Sequence, residues 1–282
     1  MDSSKKRTYI VAAAAFVLIV ASIYFLFVRQ KGDRAIKPGD QEKIVKDISE
    51  IDIGKRPFVT LTPTSDGAEI IIAIEKMSDF DKIEYELTYL ADNPLSAGEK
   101  IERGATGSDI NSKDEKYKKS ILLGTGSKGV RSPDKGITDG KLTLHLFKSD
   151  TEYQSETNWD MFESGSKTTT LKSRDDKFEI TIPAFERNYW LILADTVGMP
   201  PKAELEPQKI ILPIYGAFSI APDIDKAATI KFKLDGPEGQ FQLKTYLHQN
   251  SRWDETIDVS LNSSQEVTSK VKKLATYVVS SK

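Results

Sequence analysis

The feature that most constrains the fold of this chain is the alternation of apolar and polar residues from Pro57 onward. In residues 82–90, "KIEYELTYL", Ile83, Tyr85 and Leu87 share one phase, and polar side chains occupy the other. Successive side chains of a β-strand point to opposite faces of a sheet, so this pattern predicts strands with one buried face. Residues 188–196, "NYWLILADT", are apolar at both phases, which predicts a central strand covered on both sides.

Similar runs recur along the chain, and the connections between them are rich in Gly, Pro, Asn, Asp and Ser. They predict strands at 58–62, 68–76, 82–90, 140–147, 177–185, 188–196, 209–220, 227–234, 239–248, 256–262 and 274–280. The pattern predicts an all-β fold of one or two antiparallel β-sandwiches. A Pro-rich break at 197–208 suggests a β-sandwich domain at 57–200 and a C-terminal module at 201–282, or a single sandwich that both parts complete.

Residues 9–28, "YIVAAAAFVLIVASIYFLFV", contain no charged residue. A helix of about 20 residues, rising ~1.5 Å per residue, is about 30 Å long and can cross the hydrocarbon core of a membrane. We therefore predict a single-pass transmembrane helix, with residues 1–8 as a cytoplasmic head and an extracytoplasmic C-terminal body. A cleaved signal peptide is the alternative, but the apolar run is longer than a signal h-region and is followed by "RQKGDR".

The charged segment 29–56 follows this anchor and is predicted to be a stalk. It contains Pro38, as expected of a connecting segment. Within it, Ile44, Val45, Ile48 and Ile51 have helical spacing, which predicts a short amphipathic helix.

Composition narrows the possible functions. The chain has 40 Lys+Arg and 42 Asp+Glu, a balance that argues against a nucleic-acid-binding protein. It has no cysteine, so disulfides, thiolate nucleophiles and cysteine-ligated zinc are excluded. The only two histidines, His145 and His248, fall at polar phases of alternating runs and are predicted to lie on solvated strand faces. We accordingly predict no cofactor and no metal site.

One motif suggests a phosphate site at first sight. Residues 124–129, "GTGSKG", follow an apolar run and match G-x-G-x-x-G. A dinucleotide site requires these glycines to lead into a helix, whereas turn residues and then a strand follow here. Lys128 also lies at the wrong place for a Walker A lysine, so the motif predicts a glycine-rich loop between two strands.

Carboxylates are abundant in the segments between the predicted strands. The candidates for acid–base chemistry are Asp79, Asp81, Asp150, Glu152, Glu156, Asp160, Glu163, Asp175 and Asp176. Catalysis requires two of them in one cleft, and the sequence alone does not show such a pair. The acidic segment 149–160 is predicted to be a flexible loop with no calcium-ligand spacing, in which Trp159 and Tyr153 are the candidate ligand contacts or else simply pack.

Two segments resemble known proteins. Residues 121–144, "ILLGTGSKGVRSPDKGITDGKLTL", resemble a segment of uncharacterised, membrane-anchored prokaryotic surface proteins. The C-terminal run from "FSIAPDIDKAATIKFKL" to "LATYVV" is similar to an immunoglobulin-like β-sandwich module of exported prokaryotic proteins. The resemblance implies packing positions at Thr229, Ile230, Trp253, Leu274 and Tyr277, and it implies no catalytic residue.

These observations predict a membrane-anchored extracytoplasmic structural or binding module of the cell surface, without catalytic activity. The membrane, through residues 9–28, and envelope glycan or surface proteins are the expected partners. The alternatives are an envelope-assembly or secretion partner protein and a surface hydrolase acting on envelope glycan or peptide. A perturbed carboxylate pair in a cleft would favour the hydrolase.

Overall fold

The computed structural model describes residues 44–185, 188–202, 205–221, 223–234 and 239–282. Ile44–Lys282 forms one compact unit. The described residues are all-β with mainly antiparallel sheets, as the alternating pattern predicts, and contain two short 3-10 helices, Ile48–Glu50 and Pro207–Lys209.

The strands are long and closely spaced in the chain. In the first half they are β1 (Ile44–Asp47), β2 (Phe58–Pro63), β3 (Glu69–Glu75), β4 (Lys82–Asp92), β5 (Lys100–Ile110), β6 (Lys116–Leu122), β7 (Gly124–Ser127), β8 (Val130–Pro133), β9 (Thr138–Lys148) and β10 (Thr151–Ser164). In the second half they are β11 (Thr169–Lys172), β12 (Phe178–Ile182), β13 (Tyr189–Thr196), β14 (Ile210–Phe218), β15 (Asp223–Lys233), β16 (Gln240–Leu247), β17 (Arg252–Ser260), β18 (Glu266–Lys273) and β19 (Thr276–Ser281).

One long sheet is the framework of the fold. Its order is β17-β16-β19-β14-β13-β10-β9-β4-β5, and β1 pairs with β10 in the one parallel pairing among the described strands. A three-stranded sheet, β2-β3-β6, and a four-stranded sheet, β11-β12-β15-β18, lie beside it, and β7 and β8 form a separate hairpin. The Pro-rich segment 197–208 connects β13 to β14, which pair directly within the long sheet.

Two large hydrophobic cores hold the sheets together. The first joins β2 and β3 to β4 and β9, and the second joins the four-stranded sheet to β13, β14, β16 and β19. On β13, Ile192 and Ala194 belong to the first core, whereas Leu191 and Leu193 belong to the second. The cores therefore lie on opposite faces of β13, and the prediction that 188–196 is covered on both sides is confirmed.

Three predictions for local segments differ from the structure. Residues 44–47 form a strand instead of an amphipathic helix. β13 pairs only with residues 159–164 of β10, and the backbone of residues 44–47 pairs with residues 151–154, which β13 does not reach. The 3-10 turn that follows buries Ile48 in the first core, so residues 44–56 belong to the compact unit and not to a stalk. The segment 149–160, predicted as a loop, is mostly the long strand β10.

The predicted cytoplasmic head 1–8, transmembrane helix 9–28 and stalk residues 29–43 lie outside the described residues. In the part of the chain that the structure describes, no helix has the length and apolarity needed to cross a membrane.

Candidate functional site

The two aromatic residues predicted as ligand contacts lie on the inward face of β10. Trp159 is buried completely, in contact with Tyr89 at 6.1 Å between ring centroids, so its indole offers no face to a sugar. Tyr153 is half-buried and packs against the first core. The loop prediction is wrong because the inward positions between them, Ser155 and Thr157, are small polar residues that nevertheless lie buried in the sheet.

The glycine motif forms part of a hairpin. β7 and β8 pair across a turn in which Lys128 and Gly129 have φ of 49° and 80°. Positive φ at both central residues is the geometry of a tight hairpin turn, for which glycine is suited. The motif leads into a strand instead of a helix N-terminus, as predicted.

A cleft of about 130 Å³ lies where the β11–β12 turn meets the long sheet. We call it the carboxylate cleft and define it by six polar residues: Asn158, Asp160, Arg174, Asp175, Asp195 and Tyr215. β10 contributes Asn158 and Asp160, the turn contributes Arg174 and Asp175, and Asp195 of β13 stands opposite Tyr215 of β14 in the ladder. Asp160 pairs with Leu193, two residues before Asp195, so these side chains share the face that carries the second core.

Arg174 attaches the turn to β10. Its Nε and Nη2 atoms donate to the two carboxylate oxygens of Asp160 at 3.0 and 2.7 Å, and Nη2 also donates to the carbonyl oxygen of Trp159 at 2.9 Å. A bidentate guanidinium–carboxylate pair is geometrically specific as well as strong. The charge of Arg174 thereby balances the charge of Asp160. The other two carboxyl groups, Asp175 and Asp195, make the cleft acidic.

Asp175 is held as a carboxylate. Tyr215 Oη donates to its Oδ2 at 2.5 Å, and Ser173 Oγ and the backbone amide of Lys177 donate to its Oδ1. Burial pushes the pKa of Asp175 upward, but these hydrogen bonds outweigh it and leave the pKa below its usual value. The same burial and the adjacent carboxylate raise the pKa of Tyr215.

Asp195 has the opposite character. Burial raises its pKa to about 6, with smaller contributions from the charges of Asp175 and Glu156. Its Oδ1 accepts a hydrogen bond from the backbone amide of Asn158 at 3.1 Å, which offsets part of that effect. The backbone amide of Asp195 itself has a smaller effect of the same kind, and among the described residues no side chain donates to this carboxyl. Asp195 is therefore a carboxyl group with spare accepting capacity at neutral pH.

The sequence identifies part of this cleft. Two of the nine candidate carboxylates, Asp160 and Asp175, lie in it together, and the other seven do not line it. Asp195 was missed because it lies in a segment predicted only as a buried strand. The signal in the sequence is an aspartate within a run that is otherwise apolar at both alternating positions, because aspartate is rarely buried.

The two histidines lie in different surroundings. His145 is half-buried, and its Nδ1 lies 2.8 Å from Glu152 Oε1 on the neighbouring strand. His248 is buried and not on a solvated face, since it lies against Phe218 and within 3.1 Å of Thr62 Oγ1. Burial, together with the positive charges of Lys116 and Lys118, lowers the pKa of His248 to about 4.

No metal centre is found within the described ranges, where no three His, Cys, Asp or Glu side chains gather closely enough to ligate one. Comparison with known proteins gives no family: no family model matches the chain, and no curated protein matches it significantly. The carboxylate cleft is therefore interpreted from its own chemistry.

Proposed function

We propose that this chain is a membrane-anchored, extracytoplasmic binding module of the cell surface, without catalytic activity, and that the carboxylate cleft is its ligand site. The anchor is proposed from the uncharged run at 9–28, which has the length of a membrane span. We also propose that the body lies outside the cell, as is usual for a long polar segment that follows a single N-terminal span. The flanking charges do not decide this orientation, because basic residues lie on both sides of the run.

We further propose that the second half of the body is an immunoglobulin-like β-sandwich. Its support is the packing of the antiparallel sheet β11-β12-β15-β18 on β13, β14, β19 and β16 through one shared core. Ile230, Leu274 and Tyr277, which the resemblance assigns to packing, are buried in that core.

The proposed ligand is a hydroxyl-rich envelope glycan. The single observation behind this assignment is the free accepting capacity of Asp195 in an acidic cleft that also presents Asn158 and Tyr215. Sugar hydroxyls are hydrogen-bond donors, and carboxylate oxygens accept from them readily. A cavity of about 150 Å³ holds a benzene molecule. Scaled to the six carbon atoms of benzene, the cleft at about 130 Å³ admits about five non-hydrogen atoms, which is one hydroxyl-bearing edge of a sugar ring.

The location is tested by protease treatment of intact cells, with the chain tagged at both ends. We expect the C-terminal tag to be lost and a fragment containing residues 1–28 to remain in the membrane. A body that is digested only after the cells are lysed would contradict the proposed orientation.

The ligand assignment is tested with the full chain in detergent micelles and a panel of soluble envelope glycan fragments. Asp195→Asn removes the charge but keeps one carbonyl oxygen for the Asn158 amide. We expect it to weaken binding about tenfold, the effect of losing a hydrogen bond to a charged group. Asp150→Asn is the matched control, because Asp150 is exposed in the β9–β10 turn. Equal binding by both variants would exclude the cleft as the ligand site.

A surface hydrolase is the second candidate function, and one specific observation favours it. The environments of Asp195 and Asp175 separate their pKa values, with Asp195 at about 6 and Asp175 below its usual value. Such a separation is typical of a general acid next to an ionised partner. Turnover of a glycan fragment with a bell-shaped pH profile, abolished by Asp195→Asn, would establish the hydrolase and contradict the non-catalytic proposal.

A further inference from the structure

A second cavity, of about 220 Å³, lies on the three-stranded sheet. We call it the lysine pocket and define it by Thr60, Thr62, Ala73, Lys118, Ile220 and His248. It shares no lining residue with the carboxylate cleft, and the proposed function does not use it.

The strand register explains why these side chains face one another. Across β2, β3 and β6, Thr60 is opposite Ala73, and Ala73 is opposite Lys118. In the rows on either side, Thr62 is opposite Ile71 and Glu75 is opposite Lys116. All these residues share one face of the sheet, because they lie two apart along each strand. The opposite face, with Leu61, Ile72 and Ile74, packs in the first core.

The pocket is closed on its other side by the chain around β14 and β16. Phe218 packs edge-on against His248 at 5.2 Å between ring centroids, and Gln249 Nε2 donates to the carbonyl oxygen of Ser219 at 2.7 Å. These contacts fix the wall in place. Ile220 remains 49% exposed at the opening, although it is a large apolar residue.

The floor of the pocket is polar and incompletely satisfied. His248 is only 7% exposed, and its Nε2 lies 3.1 Å from Thr62 Oγ1. Its Nδ1 is buried and has no hydrogen-bond partner among the described residues. Buried ring nitrogens are normally paired, so this atom is an unexplained polar group beside a cavity.

The mouth of the pocket is positively charged. Lys116 Nζ contacts Glu75 Oε1 at 2.7 Å, so that cation is paired. Lys118 makes no ion pair with any described residue, although it lies on the neighbouring row of the same face. The pocket thus combines an apolar wall, two threonine hydroxyls, a neutral imidazole and one unpaired cation.

We propose that the lysine pocket binds a small organic anion: a carboxylate with an apolar body of about six to nine non-hydrogen atoms, a size scaled from the benzene-sized cavity of about 150 Å³. The carboxylate contacts Lys118 Nζ at the mouth, and the apolar body lies against Ile71, Ala73 and Ile220. Inorganic anions fit less well, because they leave the apolar wall uncovered. Most small-molecule sites have this composition, an apolar cavity with a few polar groups that fix orientation.

Histidine NMR provides a direct test, because the chain has only two histidines. The full chain, labelled with ¹³C-histidine and held in detergent micelles, is titrated with benzoate at pH 7. The His248 imidazole signal should shift and saturate, while the His145 signal should not move, because His145 does not line the pocket. A His145→Gln variant assigns the two signals. Benzamide, which has the same shape without the charge, should bind at least about threefold more weakly, as expected for loss of a partly exposed ion pair.

The charge is tested by Lys118→Gln, with Lys128→Gln in the β7–β8 turn as the matched control. Lys118 is chosen instead of Lys116 because removal of Lys116 would leave Glu75 without its partner. We expect Lys118→Gln to weaken benzoate binding at least about threefold and Lys128→Gln to leave it unchanged. The proposal is overturned if the His248 signal does not saturate, if both histidines shift alike, or if the two lysine variants bind benzoate equally.

Discussion

Trp159 lies directly opposite Gly140 in the β9–β10 ladder, and its indole fills the space where a side chain of residue 140 would stand. A Cβ atom on Gly140 would lie 2.3 Å from indole ring atoms and 2.6 Å from the carbonyl oxygen of Trp159. The absence of a side chain at Gly140 therefore allows the largest buried side chain of the first core to lie flat on the neighbouring strand.

Gly140→Ala should consequently destabilise the fold. The added methyl group must displace either the indole or the backbone of β10, and overpacking of this kind typically costs about 1–3 kcal/mol. The measurement is the free energy of unfolding in urea. Gly126→Ala is the control, since the nearest atom to its Cβ is Leu122 Cδ2 at an ordinary 3.4 Å. Equal losses in both variants would show that Gly140 matters only for backbone conformation.

Asp195→Asn should stabilise the protein at neutral pH. Burial raises the folded-state pKa of Asp195 to about 6, above its ordinary value of 3.8, so the folded state binds more protons than the unfolded state between these values. Stability therefore falls as pH rises through this window, by on the order of 3 kcal/mol once Asp195 is ionised. Asn keeps the bond to the Asn158 amide without the buried charge.

The check is the difference in unfolding free energy between Asp195→Asn and the wild type across the pH range. It should be small below pH 4 and should favour the variant above pH 6. A difference that does not change with pH would mean that the carboxyl is not desolvated in the folded protein.

His248 should produce the reverse pH dependence. Its folded-state pKa of about 4 lies below its ordinary value of 6.5, so the unfolded state binds the proton first as the solution is acidified. Stability is full above pH 6.5 and falls by on the order of 3 kcal/mol as pH drops to 4. The difference in unfolding free energy between the wild type and His248→Gln should show this loss, whereas the difference between the wild type and His145→Gln should not. If the two variants show the same acid dependence, His248 is not the titrating group.

The opposite slopes of Asp195 and His248 overlap between about pH 4 and 6. The wild-type stability curve should therefore be flatter there than either variant's curve. This cancellation means that the wild-type profile alone would conceal both groups, and each becomes visible in the difference between its own variant and the wild type.

The strands that were predicted correctly are those with a strongly apolar inward face. Leu142, Leu144 and Leu146 of β9 are each completely buried, and the hydropathy of the alternating positions alone identifies them. β13 was predicted for the same reason, since both of its faces are apolar. In such segments the burial of side chains determines the local structure, so the pattern is sufficient.

The segments that were missed have a different physical basis. β10 buries Ser155 and Thr157 on the same face as Trp159, so its inward face alternates correctly but has little hydrophobicity. The extended conformation of β1 comes from its backbone pairing with β10, because its own side chains are mostly exposed. The carboxylate cleft depends on the register between β10, β13 and β14, which brings together residues from distant parts of the sequence.

Tyr215→Phe should loosen the carboxylate cleft and destabilise the fold. It removes the hydroxyl that donates to Asp175 Oδ2, and a hydrogen bond to a charged group contributes about 1.5–3 kcal/mol. Since that bond helps to lower the pKa of Asp175, its contribution is present above the ordinary pKa of 3.8 and is lost as pH falls through the lower folded-state value. The loss in unfolding free energy should therefore be larger at pH 7 than at pH 2.5.

Tyr246→Phe is the matched control for this experiment. Tyr246 is buried in the same long sheet, but its hydroxyl makes no hydrogen bond of ordinary geometry to a described residue. Removal of an unpaired buried hydroxyl should be neutral or slightly stabilising, because the desolvation of that group is no longer uncompensated. The same chemical change should thus have opposite consequences at the two positions. A Tyr215→Phe protein as stable as Tyr246→Phe would show that the β11–β12 turn holds Asp175 in place without the phenol.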